Sequence, residues 1–330
     1  MPEISIIIPI YNKGKYLNKL WENLLGQTFT NYECILIDDG SVDDSPQSCD
    51  WIVNKDNRFK VFHIKNGGVS HARNVGLDHA KGNFITFIDA DDSFHNEYLK
   101  RLYECISEND VDMVISSSLK VWENSDRKEL IKVPYDGIQT IENVMQDFVK
   151  FQMDNGIYGY CWGKLLRSNL VVKHRFNEKI KLAEDLEFYL SLYPEVKKIY
   201  FDNQPQYYYL QEAENSSMLT ADWEIDYYTQ LIIQLKMYQM LQLMNFLNSE
   251  NKTMLVKRMY DYVFFTLYHA PKYQIKYYAK QLRELCLPPP VDTKNPIWQY
   301  KWIIGLYRKE KDLLLCLTIR LYRLVRGAKY

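Results

Sequence analysis

The sequence predicts an α/β fold, a mainly parallel sheet flanked by helices with a helical extension behind it. Aliphatic, β-branched runs alternate with helically spaced apolar residues through the first third of the chain. After about residue 222 long helical spacing replaces that alternation. Acids also collect where the second and fourth strand-like runs finish: Asp38-Asp39 follow Cys34-Ile35-Leu36-Ile37, and Asp89-Ala90-Asp91-Asp92 follow Phe84-Ile85-Thr86-Phe87-Ile88. Open α/β sheets bind ligands outside the carboxyl ends of their strands, so these acids mark the rim to watch.

Taken in order, Ile4–Ile10 is continuous and β-branched, as a strand covered on both faces would be. Tyr16, Leu17, Leu20, Trp21, Leu24 and Leu25 then keep helical spacing. Strand patterns recur at Tyr32–Ile37, Lys60–Ile64, Phe84–Ile88 and Val111–Ser116, with helices expected at about 48–55, 69–80 and 95–108. The first strand runs into Pro9-Ile10-Tyr11-Asn12 without G-x-G-x-x-G, which argues against a dinucleotide-binding domain. Leu182–Tyr193 reads as an amphipathic helix. Leu231, Leu235, Tyr238, Leu241 and Met244 mark the long helices, and Pro288-Pro289-Pro290 forms a stiff break after them. The expected organisation is 1–215 as the main domain, divided at 116/117, then a helical extension over 216–287 and a tail over 291–330.

With 330 residues and 47% hydrophobic content there is material for one large domain and an appendage. A net charge of −1 excludes a global basic field, so nucleic acid is not an expected partner. Six cysteines without a C-x-x-C pair suggest neither a zinc site nor a disulfide framework, and fit a reducing cytoplasm. Met1-Pro2-Glu3-Ile4 shows no charged segment leading into an apolar stretch, so no secretory signal is expected. No run approaches the roughly 20 apolar residues of a membrane span. The tail differs from the rest: nine Lys/Arg face three acids between residues 291 and 330. There Trp302, Ile303, Ile304 and Tyr307 mix with Arg308, Lys309 and Lys311, and Arg320, Arg323 and Arg326 follow a leucine-rich run at three-residue steps. Such helices lie in the headgroup layer of anionic membranes, and a helix docked on its own domain is the alternative.

Gathered carboxylates disfavour one another's charge, and a divalent cation relieves the conflict. Magnesium or manganese suits oxygen ligands, usually one or two carboxylates completed by water and substrate phosphates, so a diphosphate ligand is expected. Asp89 and Asp91, two apart in extended chain, face the same way; Asp92 or Ser93 is placed to cap the next helix. Arg73, beside the small-residue face Ala72, Gly76 and Ala80, needs an anionic partner, either the diphosphate or a strand-end aspartate. Asp185 falls on the flank of its helix's apolar arc, where partial burial would raise its pKa and suit it to accept a proton, while Glu184 falls nearly opposite. The aromatic stretches Tyr158–Trp162 and Tyr207–Tyr209 suit sugar rings or core packing equally. None of the six histidines sits in a catalytic pattern.

Pro9-Ile10-Tyr11-Asn12, Asp38-Asp39-Gly40-Ser41-Val42-Asp43, Ala72-Arg73-Asn74-Val75-Gly76, Asp89-Ala90-Asp91-Asp92 and Glu184-Asp185, in this order, resemble the inverting family 2 glycosyltransferases over about residues 4–215. The resemblance implies a Rossmann-like A-type glycosyltransferase fold, with 1–116 as the nucleotide half and 117–215 as the acceptor half. It places Pro9 and Tyr11 in the base pocket, Asp39 as acceptor from the base, most often uracil, and Asp38 as support for that loop. Arg73 would help hold the nucleotide, Asp89 with Ala90 would lie on the ribose side, and Asp91 would coordinate Mg2+ or Mn2+. Asp185 would be the general base, with Trp162, Lys164 and Glu184 toward the acceptor. The implied activity is transfer from a nucleotide sugar to a hydroxyl of a glycan or lipid-linked acceptor, at the inner face of the cell membrane. Two other readings compete: a nucleotidyltransferase, which would want a Gly-rich first loop, and a non-catalytic sugar-nucleotide or glycan-binding module.

Overall fold

Strand β1 (Ile4–Ile10) organises the sheet, pairing in parallel with β2 (Tyr32–Asp38) on one side and β4 (Phe84–Phe87) on the other. Its Ile4, Ile6, Ile7, Ile8 and Ile10 have no exposed surface, which explains why its sequence shows no alternation. Each such burial contributes about 1.5–3 kcal/mol. The computed structural model describes residues 1–211, 223–271, 273–290 and 298–325. The chain divides into two units, Met1–Ser216 and Ser217–Tyr330.

In chain order the first unit continues from β1 through α1 (Gly14–Leu25), β2, α2 (Ser45–Lys55), β3 (Phe59–His63), α3 (Val69–His79), β4, β5 (Ser93–Phe94) and α4 (Tyr98–Ser107). It then runs through β6 (Met113–Trp122), β7 (Lys128–Ile131), β8 (Gly137–Thr140), α5 (Ile141–Gln146), α6 (Phe148–Asn155), β9 (Lys164–Arg167), α7 (Ser168–Val171), α8 (Glu184–Leu192) and β10 (Lys198–Gln211). The sheet order is β3-β2-β1-β4-β9-β6-β10-β5, with β7 added to β6 and β8 to β10. The α/β class is as expected, and the strands up to β4 are all parallel. Beyond β4 the sheet is mixed: β9 runs antiparallel to both β4 and β6, while β6 and β10 are parallel. The long strand β6 serves two partners on one edge, β9 at Met113–Ile115 and β7 at Ser118–Val121.

Helix α3 lies close on β1 because its inward face is small. A Cβ placed on Gly76 would come within 2.3 Å of the Ile7 Cγ2 atom. Ala72 is fully buried and belongs to a cluster with Ile35 and Ile37, against which Ala80 packs. This close approach brings Arg73 to the sheet's carboxyl rim. The expected cap on the helix after the second acid loop is absent: α4 carries no side-chain cap at Glu97. Asp92 is instead buried, accepting from the Tyr207 hydroxyl at 2.5 Å and the Leu210 amide at 2.8 Å. Ser93 enters β5, which pairs antiparallel with β10. The acid is therefore spent on tying its loop to a distant strand, a use that local sequence does not reveal.

The second unit contains α9 (Trp223–Leu243), α10 (Ser249–His269), α11 (Ile275–Glu284), α12 (Trp298–Arg308) and α13 (Asp312–Val325). Leu231, Met237 and Leu241 of α9 and Val256, Met259 and Val263 of α10 are buried. The Asn248 side chain caps α10 by accepting from the Asn251 amide at 2.8 Å. Helix α11 ends before the prolines, as expected, and the Pro288 carbonyl accepts from the Tyr260 hydroxyl at 3.0 Å. Arg283 pairs with Asp312 at the start of α13. The side chain of Arg323 and all of Arg326 lie outside the described residues. No helix among the described residues is long and apolar enough to cross a membrane.

Candidate active site

Strand order places the site. β2 and β4 flank β1, and the chain turns from one side of β1 to the other between β3 and β4, which makes the carboxyl ends of β1 and β4 the switch point at which such sheets bind ligands. Register aligns Ile10 with Asp38 and Ile7 with Phe87, so both acid loops leave the sheet beside the Pro9-Ile10-Tyr11 segment. Pro9 is partly buried, while Tyr11 at the strand's exit is half exposed.

Asp38 and Asp39 are both buried and hold the rim together. Asp38 accepts from the Ser41 amide at 3.0 Å and from His63 Nδ1 at 2.7 Å. That bond raises the His63 pKa against the opposing effect of burial, with Asp50 assisting. Asp39 accepts the Gly67 and Gly68 amides at 2.7 and 2.8 Å, one on each carboxylate oxygen. Gly68 makes this possible with φ of 88°, a left-handed conformation immediately before α3. Each Asp39 oxygen keeps a second lone pair for a further donor.

Arg73 is the centre of the acid cluster. It is buried on α3 and donates to Glu184 Oε1 at 2.9 Å and Asp89 Oδ1 at 3.4 Å, joining the β4 loop to the first turn of α8. Its anionic partners include a strand-end aspartate, as expected, and also Glu184, which the helical wheel placed away from the apolar arc. Burial, with the nearby Asp91 and Glu184 charges, raises the Asp89 pKa against the lowering effect of Arg73. Ala90 is buried between them. Asp91 is partly exposed and receives the Lys13 ammonium at 2.5 Å. Asp92, behind this loop, is held well above the usual carboxylate range by burial and by Asp89, although its Tyr207 bond works the other way.

Asp185 follows Glu184 in the first turn of α8, whose start is set by Ala183 in a left-handed conformation at φ 58°. Burial, reinforced by the Glu184 charge, pushes its pKa up to about 7, with Arg73 and Lys164 opposing the rise. The carboxyl is thus poised at neutral pH.

Trp162 and Lys164 are placed differently from a surface that meets an acceptor. Lys164 has no exposed area; its ammonium donates to the carbonyls of Ile157 at 2.8 Å and of Tyr160, and burial lowers its pKa to about 7. Trp162 is stacked between Tyr160, with centroids 4.3 Å apart, and Tyr207, at 5.3 Å. Tyr207 is the residue that holds Asp92, so the aromatic stack is mechanically joined to the acid loop. Lys13 and His63 were not among the sequence candidates, and Tyr207 was noted only as suited to sugar rings or core packing. Lys13 had a signal in its position directly after Pro9-Ile10-Tyr11-Asn12; the roles of the other two depend on distant partners that no local pattern shows.

No group of three His, Cys, Asp or Glu able to hold a metal occurs among the described residues. Asp91 nonetheless fits Mg2+ or Mn2+ chemically, since these ions are commonly held by one carboxylate together with water and phosphate oxygens.

The mixed sheet carries acid loops at the carboxyl ends of β2 and β4, the second bridged by one arginine to a helix bearing a raised carboxyl. The chain belongs to glycosyl transferase family 2, whose model matches residues 5–169. It is 32% identical over 229 residues to the glycosyltransferase GlyG of Streptococcus pneumoniae, covering 68% of this chain and 75% of that protein. It is 32% identical over 223 residues to the uncharacterized glycosyltransferase EpsJ of Bacillus subtilis, covering 67% of this chain and 63% of EpsJ. The fold matches S. aureus TarS 1-349 in complex with UDP-GlcNAc at a TM-score of 0.62 and 21% identity, over 100% of this chain and 93% of that one. The chain is therefore a glycosyltransferase.

Proposed function

We propose that this protein moves a sugar, with inversion, from a nucleoside diphosphate donor, UDP by preference, to a hydroxyl of a glycan or lipid-linked acceptor. The observation that carries the reading is Arg73 joining Asp89 to Glu184, which ties the Asp91 loop to the first turn of α8, where Asp185 lies. UDP-GlcNAc in the TarS complex supports the donor class. Pro9 and Tyr11 line the base side, Asp39 accepts from the base, Asp38 braces that loop, and Arg73 with Asp89 and Ala90 holds the ribose and diphosphate region. Asp91 would hold Mg2+ or Mn2+, which when bound supplies charge neutralisation of the diphosphate leaving group.

In the transfer, Asp185 accepts the proton of the acceptor hydroxyl as that oxygen forms a bond to the anomeric carbon. The bond from that carbon to the diphosphate oxygen breaks on the opposite face, and its electron pair leaves with the diphosphate. A pKa near 7 leaves a substantial fraction of Asp185 ionised and able to act as base at neutral pH. Glu184 orients Arg73 rather than meeting the acceptor directly. Trp162 and Lys164 shape the acceptor side from behind, by fixing the Ile157–Gly163 loop. Asp185→Asn should reduce transfer by about 10²–10⁴-fold, while UDP binding measured by calorimetry persists. Retained turnover in the variant removes Asp185 from the role of base.

The acceptor reading extends to a membrane. Helix α13 buries Leu315 and Ile319 but exposes Leu313, Leu317 and Leu321, to 69%, 47% and 63%, at four-residue steps along one face. Exposed Lys309, Lys311 and Arg320 lie among them. This arrangement suits the headgroup layer of an anionic bilayer at the inner face of the cell membrane, where lipid-linked acceptors would be met.

A further inference from the structure

Lys13 lies in a loop that is already braced before any ligand arrives. The Asn12 amide donates to Ser41 Oγ at 3.0 Å, and Asn12 Oδ1 accepts the Val42 amide at 2.9 Å. The Lys13 amide donates to Ser45 Oγ at 2.9 Å, and the Gly14 amide to Asp43 Oδ2 at 3.0 Å. From this fixed base the flexible lysine stem reaches Asp91 Oδ2, at 2.5 Å. Both side chains keep partial access to water, 30% for Lys13 and 20% for Asp91, so the pair can part. The surroundings give the ammonium a reason to be there. Asp89, Asp91, Glu184 and Asp185 form an acid-rich wall in which Arg73 is already committed to Asp89 and Glu184.

We propose that Lys13 is an exchangeable counter-ion of the donor site: its ammonium holds Asp91 in the free enzyme and passes to the donor's diphosphate when Asp91 takes up a divalent metal. This rests on the donor-site reading above and adds a residue to it. A lysine ammonium suits the exchange because it is a compact point charge on a flexible stem and a common phosphate ligand. Two consequences follow. Before nucleotide binds, Lys13 competes with the metal for Asp91, so metal alone binds weakly. Once nucleotide is present the same charge strengthens diphosphate binding, so metal and nucleotide favour each other's arrival.

The test uses the full chain, titrated calorimetrically with Mn2+ alone and, separately, with UDP in the presence of excess Mn2+. Lys13→Met should bind Mn2+ about fivefold or more tightly than the wild type and UDP about fivefold or more weakly, the loss of one ion pair of roughly 1 kcal/mol. Lys13→Arg, which keeps the charge, should stay near the wild type in both titrations. In an Asp91→Asn background the Lys13→Met effect on Mn2+ should vanish. Unchanged Mn2+ or unchanged UDP affinity in Lys13→Met, with wild type binding both, overturns the exchange alone. A wild type that binds neither UDP nor Mn2+ even when both are supplied together overturns the donor-site reading itself.

Discussion

Glu184 and Asp185 are adjacent, yet the structure puts them to different uses. Glu184 pairs with Arg73 at 2.9 Å, while Asp185 has no ion pair among the described residues and carries a pKa raised to about 7 by burial and by the Glu184 charge. A base with this pKa gives a kcat/KM that rises with pH through an acid limb near 7. Glu184→Gln removes the like charge, so the limb should move to lower pH in a pH-rate profile; an unmoved limb would assign it to another group. His63 makes an opposite statement about stability. Its pKa is raised in the folded protein by Asp38, so its contribution is fully present below the unfolded value of about 6.5 and is lost as pH rises through the folded one. Urea denaturation should therefore show the stability gap between wild type and His63→Gln to be widest in mild acid and to close at alkaline pH.

Helix α3 shows how an element positions chemistry. Its Ala72 and Gly76 face was readable from a 100° wheel, but the consequence, an Ile7 methyl filling the space a β-carbon would need, depends on β1 lying beneath it. Gly76→Ala should cost about 1–3 kcal/mol in thermal or denaturant unfolding, because Ile7 is fully buried and cannot move aside. The same shift would displace Arg73, three residues earlier, so UDP affinity should fall with stability. A variant as stable as the wild type would mean that α3 has more room than the backbone shows. Helix α8 was equally legible, its 184–192 span lying inside the expected 182–193. By contrast the Asp92 cap was misplaced, since the choice between capping α4 and binding Tyr207 is made by β10, over a hundred residues away.

At the scale of the whole molecule, the candidate donor residues fall in the first unit and the leucine-faced helix α13 in the second. The sequence suggested either a membrane-facing tail or a helix packed on its own domain, and the described part of α13 turns Leu315 and Ile319 inward while leaving Leu313, Leu317 and Leu321 exposed. Leu317→Glu with Leu321→Glu should release the full chain from anionic vesicles in a flotation assay without lowering its melting temperature. Undiminished binding by this variant would move the membrane contact elsewhere. Isoleucine runs, small-residue helix faces and acids at strand ends are local patterns that follow directly from residue chemistry, and they determined the α/β class and the family and marked Asp39, Asp91 and Asp185 as candidates. Which acid meets which base was decided only by the tertiary structure. Pairing Asp91 with Lys13, Arg73 with Glu184, and Asp92 with Tyr207 requires segments 78, 111 and 115 residues apart to converge, and electrostatics acts through distance in space, to which sequence separation is blind.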